Sequence, residues 1–230
     1  MTRRTFTRSR RGRVLAMLAV AALALSACGT TDPVSNAEQT RRGLAAITGL
    51  PQEGFTLGRS TAPWTLSIIS SPTSYELDQL ITLLPELTDR FVRGGRLKLQ
   101  MRTPTKGAYG ANGQERVAAG ALLAAGLQDH YWNALVRFVS NYPGSVKTDR
   151  LTELLRASGV PDVDRAMRDR SNAQVRGALV RADVVGDEAD GKGQLVYVLT
   201  SPSGTEVDLT RQADKGRLPD MIGRRLAAGS

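Results

Sequence analysis

The sequence predicts an α/β protein in which a helical subdomain interrupts a central sheet. Three observations carry this. A strand–helix–strand pattern occupies residues 64–102, helical stretches follow between 114 and 174, and a strand–strand–helix pattern runs from Leu195 to about residue 227. The outer patterns supply the sheet, and the helices between them form an insertion.

Each element has a local cause. Ser35 is placed to cap a helix through Ile47, with Leu44, Ala45 and Ile47 as its weak apolar side. Phe55-Thr56-Leu57 reads as a short strand, and Trp64 to Ser70 as a stronger one. Leu77, Leu80, Ile81, Leu84, Leu87 and Phe91 recur at steps of three and four, which defines a helix. Pro85 lies inside it and is expected to kink or split it, because proline lacks an N–H for the helical ladder. Gly94-Gly95 stops the helix, and Arg96 to Arg102 alternates as a strand with Leu97, Leu99 and Met101 on one face.

The insertion begins with an alanine-rich helix over residues 114–127. A second helix, about 129–139, is rich in large apolar residues; Tyr131, Trp132, Phe138 and the nearby Tyr142 either fill the subdomain core or line a groove. Two more are expected near 148–158 and 162–174, with Asp149 and Asp162 near their starts and Ser158-Gly159-Val160-Pro161 between them. Leu195 to Leu199 is a continuous apolar run, as in a strand covered on both faces. Ser201-Pro202-Ser203-Gly204 turns the chain, Glu206 to Leu209 returns as a hairpin partner, and a helix over about 217–227 closes it.

The N-terminus is of a different kind. Residues 1–13 carry Arg3, Arg4, Arg8, Arg10, Arg11 and Arg13 and no acid, and Val14 to about Ala24 is almost wholly apolar. That run is short of the roughly 20 residues needed to span a bilayer. Leu25-Ser26-Ala27-Cys28 follows and fits all four positions of a lipobox. Residues 1–27 are therefore read as a lipoprotein signal peptide, Cys28 as the lipidated residue, and 28–35 as a polar tether to a domain over 36–230. The helical insertion of that domain is expected over about 111–176. This places the domain on the extracytoplasmic face of the cell membrane, held by lipid. Thr2-Arg3-Arg4-Thr5-Phe6 and Ser9-Arg10-Arg11 look like twin-arginine export motifs, with the general secretory route as the alternative.

Composition removes several function classes. The chain carries a formal charge of +9, but without residues 1–27 it holds 25 basic against 22 acidic residues, a net of +3. The basicity is partly a property of the leader and does not argue for nucleic-acid binding. His130 is the sole histidine, which excludes a multi-histidine metal site; it is expected on a helix surface. Asp183, Asp187, Glu188 and Asp190 form an acidic stretch with glycines whose spacing misses the EF-hand pattern, so it reads as a solvated loop. Gly107, Gly110 and Gly113 lack the Gly-Lys-[Ser/Thr] of a phosphate-binding loop and read as a flexible connection. No metal, cofactor or catalytic residue is implied.

Local sequence adds a resemblance. Gly54-Phe55-Thr56-Leu57-Gly58 with Ala62-Pro63-Trp64-Thr65-Leu66, Pro85-Glu86-Leu87 with Phe91-Val92, and Ala124-Ala125-Gly126-Leu127 through Tyr131-Trp132 and Leu135 follow one another in the chain. In order, over residues 54–226, they resemble the thioredoxin fold with the helical insertion of DsbA-type proteins. The resemblance implies a central mixed sheet and an active-site loop at the start of the first long helix. There the family carries Cys-x-x-Cys, whose first thiolate attacks a disulfide. This chain reads Ser70-Ser71-Pro72-Thr73-Ser74-Tyr75-Glu76-Leu77. One alignment puts the pair at Ser74 and Leu77, another at Thr73 and Glu76, and a third matches Ser71-Pro72-Thr73-Ser74 to Cys-Pro-x-Cys. None supplies a thiol. The family's cis-proline is missing too, since the stretch before Leu195 reads Gly193-Gln194.

Cys28 is the only cysteine, so a dithiol mechanism within the chain is excluded. The expected protein is a redox-inactive binding or partner module for a peptide, protein or small ligand. Ser71, Thr73, Ser74 and Gln194 are its candidate contacts. Two alternatives stay open: an enzyme resembling kappa-class glutathione transferases, with Ser71 or Ser74 at the helix start and a bound low-molecular-weight thiol, or a structural component of an envelope complex. The lipobox reading has a direct check: cells fed labelled palmitate should label the full chain, and Cys28→Ser should abolish the label.

Overall fold

The computed structural model describes residues 35–106, 113–141, 146–188, 194–213 and 216–229. The expected signal peptide, Cys28, Gly107, Gly110, Tyr142, Asp190 and Gly193 lie outside them. Residues from Ser35 onward form one compact unit.

The chain begins with α1 (Asn36–Ile47), capped by the Ser35 hydroxyl, which accepts from the Glu38 N–H at 3.3 Å. Two short strands, β1 (Gln52–Glu53) and β2 (Thr56–Leu57), form a hairpin, and β3 (Trp64–Ile69) follows. Then come α2 (Leu77–Leu87), a π-helical turn over Thr88–Val92, and β4 (Leu97–Arg102). The helical insertion comprises α3 (Gln114–Gly126), α4 (Tyr131–Asn141), α5 (Thr148–Ala157), α6 (Val163–Asp169) and α7 (Ala173–Glu188). The chain returns through β5 (Val196–Thr200) and β6 (Glu206–Asp208), then a short α8 (Thr210–Ala213), and ends in α9 (Leu218–Ala228).

The sheet order is β1-β2-β4-β3-β5-β6. β3 runs parallel to β4 and antiparallel to β5, and the outer pairs are antiparallel, so the sheet is mixed. Trp64, Leu66 and Ile68 alternate into the main core with Leu97, Leu99 and Met101 of β4. Ile69 and Val196 are paired in register and form a smaller cluster with the partly buried Val185 and Val198. β5 is thus apolar along its length because it packs toward both clusters.

Pro85 neither ends nor splits α2. The helix continues through it and changes its ladder at Thr88, where the Arg93 N–H reaches back to the Thr88 carbonyl at 2.9 Å. The Thr88 hydroxyl donates to the Leu84 carbonyl at 2.7 Å and lies 3.0 Å from that of Pro85, so the disturbed turn keeps its partners. Arg93 then donates to the Ala46 and Thr48 carbonyls at 2.8 and 3.2 Å, closing the C-terminus of α1.

Three expectations fail in the insertion. The acidic stretch is not a loop at Asp183, Asp187 and Glu188, because α7 runs through all three. The single helix expected near 162–174 is two, α6 and α7, and Val175, Leu179, Ala182 and Gly186 give α7 a buried face that carries it to Glu188, past the expected end of the insertion near 176. Asp183 is 5% exposed, and its carboxylate accepts the Thr105 N–H at 2.6 Å and stands 4.0 Å from Lys106 Nζ. His130 is not a helix-surface residue either; it is half-buried just ahead of α4, beside Gly159. Tyr131, Trp132 and Phe138 are core. Burial pushes the Tyr131 hydroxyl pKa well up, against a smaller lowering from Thr103.

The insertion is fastened to the sheet at β2. The Phe55 carbonyl accepts the Met101 N–H at 3.1 Å and the Trp132 indole N–H at 3.1 Å. The Gly54 N–H donates to Asp129 at 3.0 Å. Within the insertion, α3 passes so close to the end of α6 that a Cβ on Gly120 would sit 2.4 Å from the Arg170 carbonyl oxygen. Gly120→Ala must therefore push two backbones apart. It should lower stability by about 1–3 kcal/mol, read as a lower Tm by circular dichroism.

Candidate functional site

The pairing of Ile69 with Val196 brings two loops together at one end of the sheet: residues 70–76, which lead into α2, and residues 194–195, which lead into β5. Ser70 is buried; its N–H donates to the Arg102 carbonyl at 3.1 Å, which extends the β3–β4 pairing by one step. Beyond it the chain makes a series of three-residue turns, Ser74 to Ser71, Leu77 to Ser74, Asp78 to Tyr75 and Gln79 to Glu76. α2 begins only at Leu77, with Glu76 as its cap.

The hydroxyls of the loop are used within it. Ser71 is 5% exposed, its Oγ lies 3.0 Å from Thr73 Oγ1, and it accepts the Thr73 N–H at 3.3 Å. Ser74 Oγ accepts the Glu76 N–H at 3.3 Å. Pro72 is buried and Thr73 half-buried. This is the capping and turn role usual for such residues.

The two loops are joined by Glu76. Its Oε2 accepts the Leu195 N–H at 2.5 Å. Glu76, Gln79, Gln194, Leu195, Tyr197 and Thr210 line a cleft of about 60 Å³. That is water-sized, well under the roughly 300 Å³ at which small-molecule pockets begin. Gln194 is exposed at its mouth, and no peptide bond among the described residues is cis. Tyr75, between the serines and Glu76, is 83% exposed, the largest apolar side chain so displayed among the described residues. Val180 and Val184 on α7 are also exposed, at 51% and 53%. Among the described residues no cluster of three or more His, Cys, Asp or Glu could hold a metal ion, and no helix is long and apolar enough to cross a membrane.

Sequence reasoning placed the loop but missed the two residues that stand out in it, Glu76 by its bond to Leu195 and Tyr75 by its exposure. Glu76 entered only as one alignment of a lost cysteine, and Tyr75 only as a neighbour. A glutamate at the start of a helix reads as ordinary dipole pairing, and nothing local says that its acceptor oxygen reaches a residue far along the chain.

Comparison with known family profiles finds no match, and comparison with curated proteins finds none. Solved structures do match. BdbD from Bacillus subtilis, in its oxidised form, superposes with a TM-score of 0.59 at 14% identity, covering 79% of this chain and 98% of that one. DsbA from Chlamydia trachomatis gives 0.57 at 15% identity, covering 75% and 91%. MdbA from Corynebacterium matruchotii, a thiol-disulfide oxidoreductase, gives 0.53 at 16% identity, covering 74% and 94%.

The chain has the DsbA-like thioredoxin fold.

In this DsbA-like frame β3, α2, β4 and the β5–β6 hairpin with α9 form the thioredoxin part, and α3 to α7 the insertion. Its loop before α2 carries no cysteine. Glu76 now has a sharp test. Glu76→Ala removes a charged acceptor from the Leu195 N–H and should cost about 1–3 kcal/mol in denaturant unfolding, with faster hydrogen exchange at Leu195. Glu76→Gln, which keeps an acceptor oxygen, should recover most of both.

Proposed function

We propose that this chain is a redox-inactive, extracytoplasmic binding module, tethered to the cell membrane by lipid on Cys28, which holds a peptide, a partner protein or a small ligand against the face around residues 70–77 and 194–195. The observation that carries this is a complete DsbA-like frame whose active-site loop has no thiol and whose hydroxyls are bonded within the loop. Disulfide exchange needs a thiolate to attack and a second thiol to resolve the mixed disulfide. The chain contains one cysteine, Cys28, outside the described residues.

Binding at this face rests on Tyr75, the exposed aromatic of the loop before α2. Tyrosine is among the residue types enriched at the energetic centres of protein contacts. The extracytoplasmic location is supported by the leader and lipobox motifs and by the fold.

Two measurements test the reading. The full chain should give no catalysed insulin reduction; clear catalysis overturns redox inactivity. A partner crosslinked to this face in solubilised membranes should bind Tyr75→Ala about tenfold or more weakly. Turnover with glutathione that is lost on Ser71→Ala or Ser74→Ala would instead establish the transferase reading.

A further inference from the structure

A second cleft lies on the helical insertion and shares no residue with the one under Glu76. It opens between the second half of α4 and the length of α5, with a volume of about 530 Å³, within the roughly 300–1,000 Å³ of small-molecule sites. Its floor is apolar: Phe138 and Leu151 are buried, and Leu154 is partly so. Its rim is basic, with Arg137, Lys147 and Arg150 against the single carboxylate of Glu153.

These cations are not equally committed. Arg150 pairs with Glu153 at 3.1 Å, both well exposed. Arg137 has no ion pair among the described residues, and its Nε is shielded from solvent with no hydrogen-bond partner. The neighbouring Asn141 spends its amide nitrogen on the Arg137 carbonyl at 2.8 Å and on Thr40 at 3.3 Å, and Arg137 Nε is left without a partner. A buried guanidinium N–H without an acceptor is unusual enough to demand an explanation. Lys147 also lacks an ion pair among the described residues, and it caps α5 with no side-chain acceptor for the first N–H groups of that helix. The first turn of α5 already carries Asp149, so the call for an anion comes from Arg137 and Lys147 themselves.

We propose that this cleft binds a monoacyl anion, its alkyl chain over Phe138, Leu151 and Leu154 and its carboxylate or phosphate head between Arg137 and Lys147. The charge asks for an anion, and the floor asks for an apolar tail attached to it. A peptide is a poorer match: the lining residues belong to helices and to residues 146–147, with no strand edge on which a peptide backbone could pair.

Calorimetric titration of the full chain with dodecanoate, below its micelle concentration, tests the site. Saturable one-to-one binding is expected, weakened about tenfold or more in Arg137→Gln and severalfold in Lys147→Glu, whose exposed position leaves folding untouched. Acetate and neutral dodecyl maltoside should each bind at least tenfold more weakly. Dodecyl phosphate serves as the second head group; binding of either anion supports the site, and the tighter one names the head. Absence of saturable binding, equal binding of the neutral amphiphile, indifference to Lys147→Glu, or preference for an acidic peptide such as hexaglutamate overturns it. Should Arg137→Gln unfold by circular dichroism, Lys147→Glu decides.

Discussion

The position of β3 between a parallel and an antiparallel neighbour governs the rest of the molecule. Parallel pairing with β4 requires a crossover, and α2 with its π turn supplies it. Antiparallel pairing with β5 brings Val196 opposite Ile69, so the loop leaving β3 and the loop entering β5 must meet. The register of one strand pair thus builds the candidate site before any of its side chains is chosen. Ser70 confirms how firmly the frame is held, since it stays bonded to Arg102 even where the strand has formally ended.

Polar contacts join the insertion to that frame at several points, among them Gln52–Asn133, Gly54–Asp129 and Thr105–Asp183, and one carbonyl serves both sides. Phe55 accepts from Met101 of the sheet and from the Trp132 indole of the insertion. Trp132 is fully buried, so its N–H needs an acceptor, and Phe55 provides the one at hand. Small residues then bring the helices close: Gly120 lies against the end of α6, and a Cβ on Gly43 of α1 would meet Val136 of α4 at 2.7 Å. The alanine and glycine content of α3 follows from this packing.

Much of the fold was legible because its signals are local. The three- and four-residue steps from Leu77 to Leu87, the alternation from Leu97 to Met101 and the Ser35 cap each depend on near neighbours, and each element appears where its pattern lies. The errors have a common cause. Asp183 looks like a loop residue because the bond that buries it comes from Thr105, which the local sequence cannot show. Pro85 invites a kink or a split because its missing N–H is local, and the split does not occur, because the Thr88 bonds and the packing of the buried leucines hold the helix together. At the candidate site the serines bond within their own loop, as local sequence suggests, while Glu76 bonds across the fold to Leu195.

The Glu76–Leu195 bond also sets the terms on which anything else can use that backbone. A visiting chain that paired with the Leu195 amide would have to replace a carboxylate acceptor with a neutral carbonyl, and the displaced carboxylate would need a new partner. Such an exchange gains little from main-chain pairing. If this face binds a partner as proposed, discrimination would fall to side chains, with Tyr75 foremost, and extended peptides in general would gain little there.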